Sequence, residues 1–190
     1  MIRFRGHTLV IGATGTGKGV LTSTQAEAWR AAGMKVFLLC NKEAEYAEFP
    51  ADFKTMKQDR LLKAVQALRA PDRGYVDTMV VIDEAWDWKW KGSGGLQMIP
   101  NAARAHGVEM WVQSQFPTQM APTVRNNCDN IFCFALRPNA AEWAAKEYHP
   151  VFAKAPQLKP GQYIGLRGLG TPFTGLAWYH DEQEKFRRAG

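Results

Sequence analysis

Cysteine is scarce in this chain: Cys40, Cys128 and Cys133 are the three in 190 residues, with no Cys-x-x-Cys pair and no even set to build a disulfide framework. Cys40 and Cys133 lie in apolar runs and read as reduced core residues, which points to a reducing compartment. No stretch approaches the ~20 uninterrupted apolar residues of a membrane-spanning helix. Residues 1–6 run straight into an apolar strand pattern, so no room for a signal peptide is expected there. Internal repeats and low-complexity segments are lacking as well. These absences exclude a disulfide-stapled secreted domain, a helical membrane protein and a repeat array, and the expectation is a soluble, intracellular protein.

Negative charge is the minority sign. Asp and Glu total 18 against 24 Lys and Arg, a net charge of +6 with pI near 9.3. A modest basic excess suits an anionic partner such as nucleic acid, or merely a basic surface. The 46% apolar and 22% charged content is that of an ordinary globular protein. The length fits a single domain over residues 1–190, with residues 181–190 a charged tail expected to fray.

The most informative stretch is Gly12-Ala13-Thr14-Gly15-Thr16-Gly17-Lys18-Gly19-Val20. It follows the apolar run at residues 8–11 and precedes a helix-forming run at 20–31. Strand, glycine-rich loop, lysine and helix together wrap backbone N–H groups around a polyphosphate, with the helix N-terminus adding positive potential. Lys18 is placed to reach the β- and γ-phosphates of ATP. The pattern GxxxxGK is complete, but Gly19 stands where Ser or Thr would offer a hydroxyl to Mg2+. Thr16, Thr22 or water are the substitutes on hand.

Apolar runs at 8–11, 35–40, 77–82, 108–112 and 130–136 read as strands, and 20–31, 56–70, 96–105 and 140–148 as helices. Residues 41–53 read as a polar, acidic connection, and 118–125 as a short turn or helix. Residues 162–167 and 173–179 read as a closing β-hairpin. Continuous apolar strands alternating with helices imply an α/β fold, with a mainly parallel sheet covered on both faces.

The strand at 77–82 ends in Asp83-Glu84. Parallel strands deliver their C-terminal ends to one sheet edge, so Asp83 is placed to hold Mg2+ and Glu84 to activate an attacking water. The strand at 108–112 ends in Gln113-Ser114-Gln115, where Gln113 or Gln115 can touch the γ-phosphate or that water.

With these pieces in order, the chain resembles the FtsK–HerA superfamily of P-loop ATPases. It looks most like the genome-packaging ATPases of membrane-containing viruses with double jelly-roll capsids. The segment from Arg104 to Pro117 is similar to the family's Arg-x-x-Gly, apolar strand, then Gln and Pro. Residues 121–127 are similar to the segment that packaging ATPases place before the fifth strand. The likeness covers roughly residues 7–136, and Gly19 departs from it. It implies an ATPase that hydrolyses ATP to pump double-stranded DNA, working as a homo-oligomeric ring of five or six subunits. It also implies a place in the host cytoplasm or at the virion's packaging vertex, docked on capsid or membrane-vertex proteins. A neighbour's arginine would complete each site, Arg125 being the first candidate and Arg104 the second.

Residues 86–95, Trp-Asp-Trp-Lys-Trp-Lys-Gly-Ser-Gly-Gly, are the most unusual composition in the chain. Lys89 and Lys91 could contact DNA phosphates without regard to sequence. The tryptophans could pack between subunits, stack on bases, or pack into the domain itself. A conjugation- or chromosome-transfer-type pump of the same superfamily fits the same motifs. A small-molecule or nucleoside kinase has this size and loop, but its arginine-rich lid is poorly matched by Arg187-Arg188. A nucleotide-switched assembly protein would be consistent with Gly19.

Overall fold

The structure is a computed structural model describing residues 6–70, 74–75, 77–92, 94–102, 107–168 and 170–177. The elements are β1 (Thr8–Ile11), α1 (Lys18–Ala31), β2 (Lys35–Leu39), β3 (Phe53–Thr55), α2 (Gln58–Ala67), β4 (Arg69–Ala70) and β5 (Gly74–Tyr75). They continue as β6 (Thr78–Ile82), α3 (Met98–Ala102), β7 (Val108–Ser114), α4 (Pro122–Arg125), β8 (Asn130–Cys133), α5 (Pro138–Glu147), β9 (Gln162–Arg167) and β10 (Phe173–Leu176).

Eight strands form one sheet in the order β10-β9-β8-β1-β7-β6-β2-β3, and β4 and β5 pair separately. From β3 to β8 every pairing is parallel, and β9 and β10 close the sheet as an antiparallel hairpin. Period-two alternation explains why the strands are apolar throughout. Leu9, Ile11, Val80, Ile82, Met110 and Val112 face a core shared with α2, α3, α4 and α5. Val10, Met79, Val81, Trp111 and Phe132 face a second core under α1. Helix α1 buries Leu21, Gln25, Ala26 and Trp29, one ridge at helical spacing.

Three departures from the sequence reading have physical causes. The connection at 41–53 holds a 3-10 turn (Glu43–Tyr46) and ends in edge strand β3, whose three residues are too short to show alternation. The apolar run at 130–136 leaves the sheet after Cys133, because Ala135 gives its carbonyl to the phosphate loop instead. A 3-10 helix at Pro150–Gln157 holds Pro156 within it, a residue that argues against a helix in sequence, and buries Phe152 and Ala155. Of the helix expected at 96–105, residues 98–102 are helical and 103–105 lie outside the described residues, as do 178–179 of the last strand and the tail at 181–190.

Candidate nucleotide site

Parallel register brings the ends of β1, β7 and β6 side by side, with Ile11 opposite Ser114 and Val112 opposite Ile82. The phosphate loop hangs between its two neighbours. Gly12 N donates to Ser114 O at 3.2 Å and Ala13 N to Ala135 O at 2.8 Å. Gly17 caps α1 at φ 112°, which an L side chain rarely adopts, and Phe134 Cε1 would lie 3.1 Å from any Cβ there. No acidic residue occupies the first turn of α1, so its positive end is left for an anion.

Lys18 is buried, and its Nζ donates to the carbonyls of Gly12 (2.9 Å) and Ala13 (3.1 Å). Burial pulls its pKa below the usual lysine value, countered by the nearby charges of Glu84 and Asp83. These main-chain acceptors hold the ammonium at the loop.

A cleft of about 260 Å³ opens over the loop, lined by Thr14, Gly15, Gly17, Lys18, Gly19 and Val20 on one side and by Asp83, Glu84 and Gln113 on the other. Gly12, Ala13 and Thr16 lie behind this wall. Asp83 is buried, and desolvation lifts its carboxyl to about 6, against a hydrogen bond from the Tyr46 hydroxyl that favours the charged form; Glu84 raises it further and Lys18 lowers it. Tyr46 was not expected at the site. It lies on the 3-10 turn after β2, in a polar stretch where no motif marked it.

Glu84 stands at φ 44°, in the left-handed region that a non-glycine residue seldom adopts. Its Oε2 accepts from Trp86 Nε1 at 2.8 Å and from Gln115 N at 3.4 Å. Gln113 is 1% exposed, and its amide nitrogen has no hydrogen-bond partner among the described residues. A buried donor on the cleft wall without an acceptor fits a ligand that brings anionic oxygen, as ATP does. Gln115 turns aside: its Oε1 accepts from Thr14 Oγ1 at 2.8 Å, tying the loop's tip to the bend that follows β7.

The residues also fit Mg2+ held through phosphates, since Asp83 offers one carboxylate and such ions keep several waters. Thr22 does not replace the hydroxyl missing at Gly19, because it is fully buried and donates to Lys18 O at 3.0 Å. Thr16 donates to Ala13 O at 2.7 Å behind the cleft. A Cβ on Gly19 would meet nothing within 4 Å, so space does not dictate the glycine.

Arg125, Lys89 and Lys91 do not line the cleft. Arg125 Nη1 is 3.5 Å from Glu147 Oε1, and its guanidinium lies 5.3 Å from the Trp143 ring centre. Arg104 lies outside the described residues. Lys89 and Lys91 are exposed on the loop after β6, which Gln58 of α2 fastens by bonds to the main chain at Lys89 and Gly94. Among the described residues no helix is long and apolar enough to cross a membrane.

No protein-family model matches the chain, and no curated protein matches it in sequence. Its fold does match solved structures. The DNA-packaging ATPase B204 of Sulfolobus turreted icosahedral virus superposes with a TM-score of 0.74 at 16% identity, over 92% of this chain and 98% of B204. The genome-packaging NTPase B204 of Sulfolobus turreted icosahedral virus 2, bound to AMPPCP, gives 0.72 at 20% identity over 89% and 95%. The conjugation coupling protein TcpA of pCW3, with ATPγS, gives 0.66 at 16% identity over 97% and 65%. The chain has the fold shared by these viral packaging and conjugation-coupling ATPases, a mainly parallel P-loop sheet closed by an antiparallel hairpin.

Proposed function

We propose that this protein is an ATP-hydrolysing motor that translocates double-stranded DNA, and that it packages a viral genome. The observation that carries the reading is one cleft in which Lys18, Asp83, Glu84 and the unpaired Gln113 amide converge on the phosphate loop. Lys18 exchanges the carbonyls of Gly12 and Ala13 for the β- and γ-phosphates. Asp83 would hold Mg2+ through its carboxylate, and the metal, when bound, would supply positive charge against the transferring phosphoryl group. Glu84 takes a proton from the attacking water, and Gln113 donates to the γ-phosphate or to that water.

The translocase reading draws support from the fold shared with packaging and coupling ATPases, from the net charge of +6, and from the exposed lysines at 89 and 91. The higher TM-scores on packaging ATPases favour packaging over conjugative transfer. Each subunit of a ring of five or six would receive an arginine from its neighbour, Arg104 or Arg125. Capsid or vertex proteins would dock the ring in the host cytoplasm or on the virion. The kinase reading lacks a described arginine lid over the cleft. ATP turnover with and without long duplex DNA, under conditions where the ring assembles, tests the proposal: stimulation is expected, and turnover indifferent to DNA defeats it.

A further inference from the structure

The alternating tryptophans turn back on the segment they follow. Trp86 Nε1 donates to Glu84 Oε2 at 2.8 Å, Trp88 Nε1 to the Asp83 carbonyl at 2.7 Å, and Trp90 Nε1 to the Ala85 carbonyl at 2.6 Å. Three successive residues of the turn after β6 thus each accept one indole N–H, from donors spaced two apart. At the centre is Glu84, which among the described residues is alone in having positive φ without being glycine. Such a conformation persists where the surroundings over-determine it, and these bonds do so.

The two N–H groups on the Glu84 carboxylate, from Trp86 and from Gln115, converge on the same oxygen. Oε1 has no hydrogen bond among the described residues, while Glu84 lines the cleft. A carboxylate that takes a proton from water needs one oxygen held and the other open toward the water. We propose that Trp86, Trp88 and Trp90 are positioning residues that brace the Asp83–Ala85 turn and present Oε1 of Glu84 to the cleft. This rests on the reading of Glu84 as the group that activates water. It also gives the alternating pattern a purpose other than contact with DNA, because all three indoles spend their donors within the turn.

The test is ATP hydrolysis by Trp86→Phe, which removes the donor and keeps an aromatic ring beside Phe116, 5.4 Å away and edge-on. Loss of a hydrogen bond to a charged group lowers kcat about ten- to hundredfold, with KM and the affinity for ATPγS within about twofold of native. In a Glu84→Gln background, the same exchange adds no further loss to the residual single-turnover rate, as expected of residues acting as one unit. Trp88→Phe acts in the same direction by a smaller factor, and supplies the test if Trp86→Phe proves unstable. Native kcat in Trp86→Phe beside an inactive Glu84→Gln overturns this proposal alone, as does an equal fold-loss in both backgrounds. Native turnover by Glu84→Gln overturns the water-activation reading and this proposal with it.

Discussion

Replacing Asp83 with Asn should make the protein more stable and less able to use magnesium. Asp83 is 6% exposed, and desolvation raises its carboxyl to about 6 from a model-compound value of 3.8. A raised carboxyl pKa means that the folded state binds the proton more tightly than the unfolded chain. The cost of the buried charge is therefore complete above pH about 6 and fades as the pH falls toward 3.8. A shift of about two units corresponds to roughly 3 kcal/mol, and Asn, which carries no charge, avoids it. For a domain of this size that is roughly 6–12 °C in Tm. Thermal unfolding of the native and Asp83→Asn proteins at pH 8 and pH 5, without nucleotide, measures it. The gain should be largest at pH 8 and about half as large at pH 5, while magnesium no longer strengthens ATPγS binding to the variant. A variant no more stable than native at pH 8 would refute the burial argument, and undiminished magnesium dependence would refute the role of Asp83 as metal ligand.

Gly19→Ser places a hydroxyl where a Cβ meets nothing within 4 Å, so it should fit without strain, add roughly 0.5 kcal/mol of helix stability and tighten magnesium-dependent nucleotide binding. Calorimetry of MgATPγS binding checks it. Arg125→Ala breaks the Glu147 pair and the Trp143 contact, with an expected cost of about 1–2 kcal/mol by chemical denaturation. If Arg125 also acts across a ring interface, ATP turnover falls by about a thousandfold or more; near-native turnover in assembled rings assigns it to its own subunit's packing. Gly95→Ala puts a Cβ 2.3 Å from Trp90 O, so the loop after β6 must shift; about 1–3 kcal/mol of destabilisation is expected, read as a lower Tm.

The parallel core was legible because strands buried on both faces must be apolar without interruption, as at residues 9–11 and 79–82. The phosphate loop and the Asp83-Glu84 turn were legible because their chemistry demands particular residue types at the end of a strand. Tyr46 was not. It reaches Asp83 from a 3-10 turn whose polar sequence carries no periodicity, and only tertiary packing aims its hydroxyl. Gln113 and Gln115, two apart, share a face under strict alternation. Strand β7 ends at Ser114, and the bend beyond it carries Gln115 to Thr14 and leaves Gln113 on the cleft wall, which the residue pattern did not reveal. The tryptophans at 86, 88 and 90 stood out by composition, yet their inward-turned donors depend on the backbone conformation of Glu84. No sequence pattern dictates a positive φ at a glutamate.

The central claim is that this cleft hydrolyses ATP with Glu84 as the group that activates water. Single-turnover cleavage of MgATP by the native protein and by Glu84→Gln, each with long duplex DNA, tests it most directly. The account predicts that the variant binds MgATP as the native protein does and cleaves it at least about a hundredfold more slowly. Cleavage at the native rate would contradict it.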